Sequence, residues 1–199
     1  MIMQLHQLEK RRKQNSLFFM RLIILSFLFS IQLNCNAQNN KKFNELLSKF
    51  SLLVLPIDTS SLDGGEEISK KEFNKFFNLN PGKWKYIDFT YYNAIARINL
   101  NKCVGLIFQR WYDPEEYTGT KKEIVLCIYD RNGEIKSFLV IDGFYITENS
   151  EDYVYFKLKA NLELEITTEN GIYGKEKPTI HSNFYKINPD TGEIVEILK

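Results

Sequence analysis

The sequence predicts an α+β protein, in which two short N-terminal helices pack on a curved, mainly antiparallel sheet of seven or eight strands. Helical spacing of apolar residues is confined to the part before residue 80, and from Trp84 onward apolar and polar residues alternate. Turn-forming residues, not helices, separate the alternating runs. Strands that follow one another directly pair as an antiparallel meander, which leaves the helices to cover one face or end of the sheet.

Two helices are predicted before the strands begin. The first lies in residues 41–50, where apolar side chains recur at helical spacing: Phe43, Leu46, Leu47 and Phe50. The second follows Ser69, which forms a capping box with Glu72. It presents Phe73, Phe76 and Phe77 on one side and ends at Pro81. Each helix therefore offers one apolar face to a core.

Eight runs with a period of two are predicted to be strands. They cover residues 84–100, 102–112, 122–130, 134–142, 153–160, 161–168, 183–188 and 193–198. Asn132 and Gly133 separate two of these runs, and this pair predicts a hairpin with a type I′ turn, in which both central residues have positive φ. Residues 188–192 predict a longer hairpin loop with Gly192 in the left-handed position.

The N-terminal part predicts a processed leader. Four consecutive basic residues, 10–13, precede an apolar stretch whose uninterrupted part is residues 22–33. A bilayer span needs about 20 apolar residues, whereas basic residues, a short apolar run and a polar exit are typical of a secretory signal peptide. Residues 1–37 are therefore predicted to be a signal peptide, with Met20 as an alternative start, and residues 38–199 a single α+β domain.

Two processing sites compete at the end of this leader. Cleavage after Ala37 is close to the small-residue rule, with a moderately small Cys35 two positions before Ala37, and releases a chain that begins at Gln38. Alternatively, Cys35 is similar to the acylated cysteine of a bacterial lipobox, although Gln32 and Asn34 depart from that motif. A lipidated Cys35 would carry more than one acyl chain, enough for a stable membrane anchor. Both readings predict export, either anchored through a short polar tether or secreted.

Composition limits the class of partner. Without residues 1–37 the chain has 162 residues, 21 basic and 24 acidic, and a net charge of −3. No basic excess is left to predict a nucleic-acid partner. A hydrophobic content of 44% predicts a folded chain, and 162 residues suit one domain with its own core.

A family resemblance adds to this. It rests on the leader ending Cys-Asn-Ala-Gln at residues 35–38, on Leu55-Pro56-Ile57, on the capped Phe-rich helix, and on IVLCIYDRNGEIKSFLVI at residues 124–141. Together these features resemble small exported proteins and lipoproteins of Bacteroidota that have no assigned activity. The resemblance implies a location in the periplasm or outer membrane and an α+β domain, and it names no catalytic residue.

Familiar catalytic and metal motifs are absent from the sequence. His181 is the single histidine after residue 37, no G-x-S-x-G elbow is present, and the sequence favours a surface histidine over a catalytic triad. Cys103 and Cys127 match no paired zinc spacing. Asn188, Asp190 and Gly192 fit a hairpin better than a calcium loop. The sequence therefore predicts neither a metal site nor a cofactor.

The two cysteines permit a structural prediction. If residues 103–112 pair with residues 118–127, Cys103 faces Cys127 at a distance that suits a disulfide, and an exported protein meets an oxidising compartment. A shift of one residue in the register removes this pairing. The sequence favours two buried thiols and leaves the disulfide as the alternative.

Three functions are compatible with the sequence. The favoured one is a non-enzymatic envelope protein that binds a protein or a glycan through aromatic residues, with Trp111, Tyr112 and Tyr117 as candidate contacts. The second is a carbohydrate-acting hydrolase that uses loop carboxylates, for which the candidates are Asp113, Glu115, Glu116, Glu148, Glu151 and Asp152. The third is an inhibitor or immunity-type protein.

Overall fold

The computed structural model describes residues 41–62, 64–77, 90–112, 120–172 and 177–198. The chain divides into one unit of Met1–Lys42 and one of Phe43–Lys199, and the fold below is that of the second unit. Helix α1 covers residues 41–47, and helix α2 covers Lys70–Phe76. A short 3₁₀ helix covers Thr59–Ser61.

Within the described ranges, eleven strands form one sheet. They are β1 (Ser51–Leu52), β2 (Ile57–Asp58), β3 (Glu66–Glu67), β4 (Thr90–Asn99), β5 (Cys103–Tyr112), β6 (Thr120–Asp130), β7 (Ile135–Ile146), β8 (Ser150–Leu158), β9 (Glu163–Ile172), β10 (Thr179–Ile187) and β11 (Ile194–Ile197). Strands β4 to β11 lie side by side in chain order, each antiparallel to the next. Strand β1 pairs in parallel with β4. Strand β2 pairs antiparallel with β8, and β3 pairs antiparallel with β4.

The α+β class is confirmed, but the predicted count of seven or eight strands is wrong. The sheet has eleven strands because β1, β2 and β3 add two residues each from the segment around helix α2. A two-residue strand has no room to show an alternating pattern, so periodicity cannot reveal it. These short strands tie the N-terminal segment to both halves of the sheet.

One core cluster lies between the helices and the sheet. Its members from the helices include Phe43, Leu46, Phe73, Phe76 and Phe77. The sheet contributes alternate residues of adjacent strands, namely Tyr92, Leu106, Phe108, Val125, Cys127 and Tyr129. Aromatic rings meet edge-on here, as Phe77 and Phe108 do at 4.7 Å. This cluster confirms that the predicted apolar faces of both helices pack on the sheet.

A second core cluster lies on the opposite face of the same strands. Strands β5 and β6 contribute Ile107, Ile124, Leu126 and Ile128, and the later strands contribute Phe156, Leu158, Leu164, Ile166 and Ile187. Residues of β8, β9 and β10 therefore cover one face of β5 and β6, which means that the sheet bends back on itself. As a result, the central strands β5 and β6 are buried on both faces.

The hairpin between β6 and β7 is confirmed, but its predicted turn type is wrong. Gly133 has a φ of +82°, whereas Leu162 is the single non-glycine residue with positive φ among those described, so Asn132 is not left-handed. The Gly133 amide donates to the Asp130 carbonyl, and the Asp130 carboxylate accepts from the Asn132 and Glu134 amides. The loop is therefore a type I turn with a left-handed glycine, and the Asp130 side chain decides the difference.

The capping box of helix α2 is confirmed. The Ser69 hydroxyl accepts from the Glu72 amide at 3.3 Å, and the Glu72 carboxylate accepts from the Ser69 amide at 2.8 Å. Lys49 donates to the same carboxylate at 2.9 Å. Although burial acts to raise it, these hydrogen bonds hold the pKa of Glu72 below its ordinary value. The cap thus satisfies amides that a helix start otherwise leaves unpaired.

Replacing Ser69 tests the contribution of this cap. We expect Ser69→Ala to lower the free energy of unfolding by about 1 kcal/mol, because the Glu72 amide loses its acceptor. Urea denaturation followed by circular dichroism measures the change. Ser48→Ala is the matched control, since the Ser48 hydroxyl, just after helix α1, donates to the Glu45 carbonyl and caps no helix start. Equal losses in the two variants would contradict the assigned role of the cap.

Candidate functional site

The structure places the predicted binding residues on different faces of the sheet. Trp111 and Tyr112 are consecutive in strand β5, so their side chains project to opposite faces. Tyr117 lies outside the described residues. Trp111 meets Phe144 of strand β7 with ring centroids 5.6 Å apart, whereas Tyr112 lies against the guanidinium of Arg110. The two side chains therefore belong to two different surfaces.

Trp111 is part of a row of side chains that crosses seven strands. Residues that face one another in the pairing of adjacent strands lie on the same face of the sheet. Following these pairs from β4 to β10 gives the series Tyr91, Trp111, Lys122, Phe144, Tyr153, Glu169 and Ile180. On β5 and β6 the series shares the face of the second core cluster, and on β8 to β10 it lies on the face that points away from that cluster. We call this series the aromatic row. Five of its seven side chains are apolar or aromatic, and each of the seven is exposed or half-buried.

Ring contacts join the central members of the aromatic row. Trp111 and Phe144 meet nearly edge-on, at 83°, across the intervening strand. Phe144 and Tyr153 follow with centroids 6.5 Å apart. Tyr155 extends the surface, since its ring lies parallel to that of Tyr153 within 12° at 6.3 Å. The ends of the row are more exposed: 59% of the surface of Tyr91 and 62% of that of Ile180 are accessible.

Polar groups are interleaved with these rings. Lys122 stands between Trp111 and Phe144 in the pairing, and Glu169 stands between Tyr153 and Ile180. The Tyr153 hydroxyl donates to the Glu151 carboxylate at 3.1 Å, and this hydrogen bond, together with burial, raises the pKa of Tyr153. The row thus offers flat apolar surfaces with a cation, a carboxylate and a phenol between them, which is the usual chemistry of a binding face.

A bulge in strand β7 sets the position of Phe144. The pairing with β6 shifts by one residue between Ile124 and Val125, which places Asp142 opposite Ile124 and Phe144 opposite Lys122. Gly143 has a φ of +147°, and a Cβ there would lie 2.2 Å from the Lys122 carbonyl oxygen. A glycine is therefore required at the one point where the row passes from β6 to β7.

Asp142 is a buried carboxyl beside the row. It accepts a hydrogen bond from the Thr59 hydroxyl, and the Thr59 hydroxyl oxygen in turn accepts from the Phe156 amide at 3.1 Å. Burial raises the pKa of Asp142, against the opposing effects of Thr59 and the nearby Lys122. Through Thr59, this carboxyl ties the 3₁₀ helix to strands β7 and β8. Its contacts are those of a structural group.

The opposite face of β5 and β6 carries a buried ion pair. Arg110 forms a salt bridge with Glu123, its direct partner across the strands, and Lys121 approaches the same carboxylate at 2.8 Å. Burial acts to raise the pKa of Glu123, but the Arg110 guanidinium holds it below its ordinary value. Tyr112 packs under these two cations. The charged side chains of this cluster therefore form ion pairs with one another.

The candidate carboxylates of a hydrolase do not form one described group. Asp113, Glu115 and Glu116 lie outside the described residues. Glu148 is in the bend after β7, while Glu151 and Asp152 are in strand β8 and not in a loop as expected. Glu151 accepts from Tyr153, and Asp152 accepts from Asn170 at 2.9 Å. Both strand carboxylates therefore have hydrogen-bonding partners within the sheet.

The alternative disulfide is wrong, and the favoured pair of buried thiols is confirmed. Cys103 and Cys127 are free, since Cys103 faces Asp130 and Cys127 faces Leu106 in the pairing. The register that opposes the two cysteines is wrong by three residues, because Tyr112 pairs with Lys121 and not with Thr118. An odd shift also puts them on opposite faces, so that each belongs to a different core cluster. Burial raises the pKa of both thiols.

The histidine and the Asn188–Gly192 segment considered in the sequence analysis lie in an exposed strand and in a hairpin loop. His181 is exposed in strand β10 opposite Thr168. The Asn188 side chain accepts from the Asp190 and Thr191 amides, and Gly192 has a φ of +77°, so this segment forms the predicted hairpin loop. Among the described residues, no three His, Cys, Asp or Glu side chains are grouped as metal ligands.

Comparison with known proteins adds no relative. The chain matches no protein-family model, no curated protein and no solved structure. None of the helices in the described ranges has the length and apolar character needed to cross a membrane. The class defined by fold and site is therefore an α+β domain with a bent antiparallel sheet and an exposed aromatic row.

Replacing Gly143 tests the bulge. We expect Gly143→Ala to lower the free energy of unfolding by about 2 kcal/mol or more, because the new methyl group overlaps the Lys122 carbonyl in a strained backbone conformation. Thermal and urea denaturation measure the loss. Gly171→Ala serves as control, since a Cβ at that strand position would meet its nearest atom at 3.3 Å. An equally large loss of stability in Gly171→Ala would show that the loss in Gly143→Ala does not come from the bulge.

Neutralising Asp142 tests its burial. Because its pKa in the folded state is raised, the ionised carboxyl destabilises the fold, and stability falls as the pH rises through the acid range to the folded pKa. We expect Asp142→Asn, whose amide oxygen still accepts from Thr59, to gain stability relative to the wild type between about pH 4 and pH 7.

Asp58→Asn is the comparison, because the pKa of Asp58 is lowered in the folded state whereas that of Asp142 is raised. The hydrogen bonds from Ser60 and Ser61 hold the pKa of Asp58 below its ordinary value, so its stabilisation is present above the unfolded pKa and is lost as the pH falls. Unfolding curves at several pH values measure both variants. Parallel pH dependence of the two variants would be inconsistent with the assigned environments.

Proposed function

We propose that the protein is a non-enzymatic binding domain of the bacterial cell envelope, which holds its partner on the aromatic row. The observation that carries this proposal is the ring cluster at the centre of the row, where the half-buried side chains of Trp111, Phe144 and Tyr153 meet across strands β5 to β8. Surface clusters of this kind are more typical of interaction sites than of an ordinary solvated face. A sheet held between two core clusters gives the row a rigid support.

The location in this proposal rests on the leader. The basic residues, short apolar run and polar exit of residues 1–37 support export. The similarity to envelope proteins of Bacteroidota supports the periplasm or the outer membrane as the destination. Anchoring would occur through Cys35, and a soluble form would begin at Gln38. Either product presents the same domain outside the cytoplasm.

Mass spectrometry of the N-terminus of the protein from cells tests export. We expect a chain that begins either at an acylated Cys35 or at an unmodified Gln38, with residues 1–34 absent in both. Cys35→Ala is informative because it abolishes acylation and should shift the protein from the membrane to the soluble fraction if the anchor is used. A cellular protein that still carries residues 1–34 would contradict export.

Capture from envelope extracts tests the binding face. The chain from Gln38 is immobilised, and both the proteins and the glycans that it retains are analysed. We expect Phe144→Ala to reduce retention of the partner by about tenfold, as the loss of a central aromatic contact usually does. Tyr145→Ala is the matched control, because Tyr145 is the next residue of the strand and projects to the opposite face.

The proposal fails if the two variants and the wild type retain the same material, or if the wild type retains nothing. Thermal denaturation shows whether each variant is folded, and Phe144→Leu keeps most of the apolar volume without the ring. The experiment also separates the other two classes of function. Glycans that are shortened during incubation would indicate a hydrolase, and a retained protease or toxin would indicate an inhibitor.

A further inference from the structure

Strand β10 is only partly covered on the side away from β9. Strand β9 pairs with it from Thr179 to Lys186 without a shift in register. Strand β11 pairs on the other side from Phe184 to Ile187. Residues 179–183 are all exposed, and within the described part of the chain they have a strand neighbour on one side only. We call this segment the free edge.

The backbone groups of Ile180 and Ser182 point out of the free edge. The donors and acceptors of a strand alternate between its two sides. The Ile187 amide donates on the β9 side, to the carbonyl of the residue before β9, whereas the Asn188 amide donates across the hairpin to the Glu193 carbonyl. Even-numbered residues of β10 are therefore directed away from β9. The amides and carbonyls of Ile180 and Ser182 face the side that β11 leaves open.

The free edge lacks features that protect other edges of the sheet. Natural edges are kept short or carry charges and bulges, which prevents pairing with another chain. Strand β1 has two residues, and β11 has four, including Glu196. The first half of β7, before its pairing with β8, includes Lys136, and its Ser137 hydroxyl donates to the loop after β10. In contrast, residues 179–183 contain no Lys, Arg, Asp or Glu, and Ile180 is 62% exposed.

The length of the free edge fits a second copy of the same segment. The open stretch begins after Pro178, which has no amide, and ends at Phe184, where β11 begins to cover the strand. His181 is its middle residue, so a two-fold axis at His181 lets each copy use the whole edge. Ile180 of one copy and Ser182 of the other would then exchange both of their backbone hydrogen bonds.

The side chains of the free edge are compatible with this pairing. In an antiparallel pair centred on His181, Ile180 lies beside Ser182 of the other copy, and each His181 lies beside its equivalent. Thr179 lies beside Asn183, and these two side chains can hydrogen-bond to each other. None of these pairs contains a Lys, Arg, Asp or Glu side chain. No like-charge contact between such residues therefore opposes the approach of a second copy.

We propose that two copies of this chain associate by antiparallel pairing of their free edges about a two-fold axis at His181. This inference concerns a contact other than the ring cluster of the aromatic row and does not rest on the proposed function. The pairing joins strands β8, β9 and β10 of both copies into one continuous sheet. Because one short pair of strands makes a small interface, the dimer forms and dissociates readily.

Sedimentation of the processed chain, which begins at Gln38, tests this inference. We expect a monomer–dimer equilibrium with a dissociation constant of about 10–100 µM. Ile180→Pro should weaken the dimer by about tenfold or more, because it removes an amide that points to the second copy and none that pairs with β9. Ile180→Thr is the matched control: it keeps the amide and a β-branched side chain, and its dimer should stay within a few-fold of the wild type.

Variants of His181 test the position of the axis. His181→Asp and His181→Lys each place two like charges opposite each other in a dimer of one variant, and we expect each to weaken self-association by a few-fold. A mixture of the two variants should form a mixed dimer more tightly than either variant forms its own, because opposite charges then meet at the axis. A side chain that only supports the fold would show no such rescue.

Several outcomes would overturn the inference. One is a wild-type chain that stays monomeric up to about 1 mM. Another is a dimer that persists in folded Ile180→Pro and in Ser182→Pro, which removes the other outward amide; thermal denaturation shows that each variant is folded. Absence of rescue in the mixture of His181 variants contradicts the two-fold axis.

The remaining outcomes concern other partners. If the chain is monomeric and retains a foreign peptide that Ile180→Pro no longer binds, the free edge takes a strand from another protein and the inference is wrong. Phe144→Ala should leave the dimer unchanged. A dimer that Phe144→Ala dissociates would place the contact on the aromatic row instead. Because the dimer and the capture of an envelope partner are measured separately, failure of one leaves the other standing.

Discussion

The double burial of strands β5 and β6 is the constraint on which the structure depends. On one face, Leu106, Phe108 and Val125 pack under the helices, and on the other, Ile107 and Leu126 pack under the later strands. A slip of one residue would exchange the two faces and move every side chain into the wrong cluster. The register of these strands is therefore fixed from both sides, and the pairing of all outer strands follows from it.

The candidate site inherits its order from this register. Trp111 and Lys122 continue the alternation of the buried strands beyond the core, where the same pairing leaves side chains at the surface. The bulge at Gly143 then places Phe144 opposite Lys122. The hydrogen bond from Thr59 to Asp142 holds the bulge against the 3₁₀ helix. The binding proposed for this surface would require little reorganisation of such a support, which lowers the free-energy cost of binding.

Local features were predictable because their causes are local. The capping box of Ser69 and Glu72 needs only residues three apart, and the apolar spacing of helix α2 needs only its own turns. Features that depend on partners were missed or misplaced. The turn at Asn132 is decided by the Asp130 side chain, and the cysteines are separated by a register that no residue near them encodes.

The sequence by itself determined the class of fold, the helices, most strands and the alternation that gives each strand two different faces. It made Trp111 a candidate contact, because a tryptophan beside a tyrosine is visible at the end of one strand. The tertiary structure alone decided that Trp111 aligns with Phe144 and Tyr153, and that Tyr112 turns away to Arg110. Alternation is a property of one strand, whereas a row across seven strands exists only once packing on both faces has fixed how they pair.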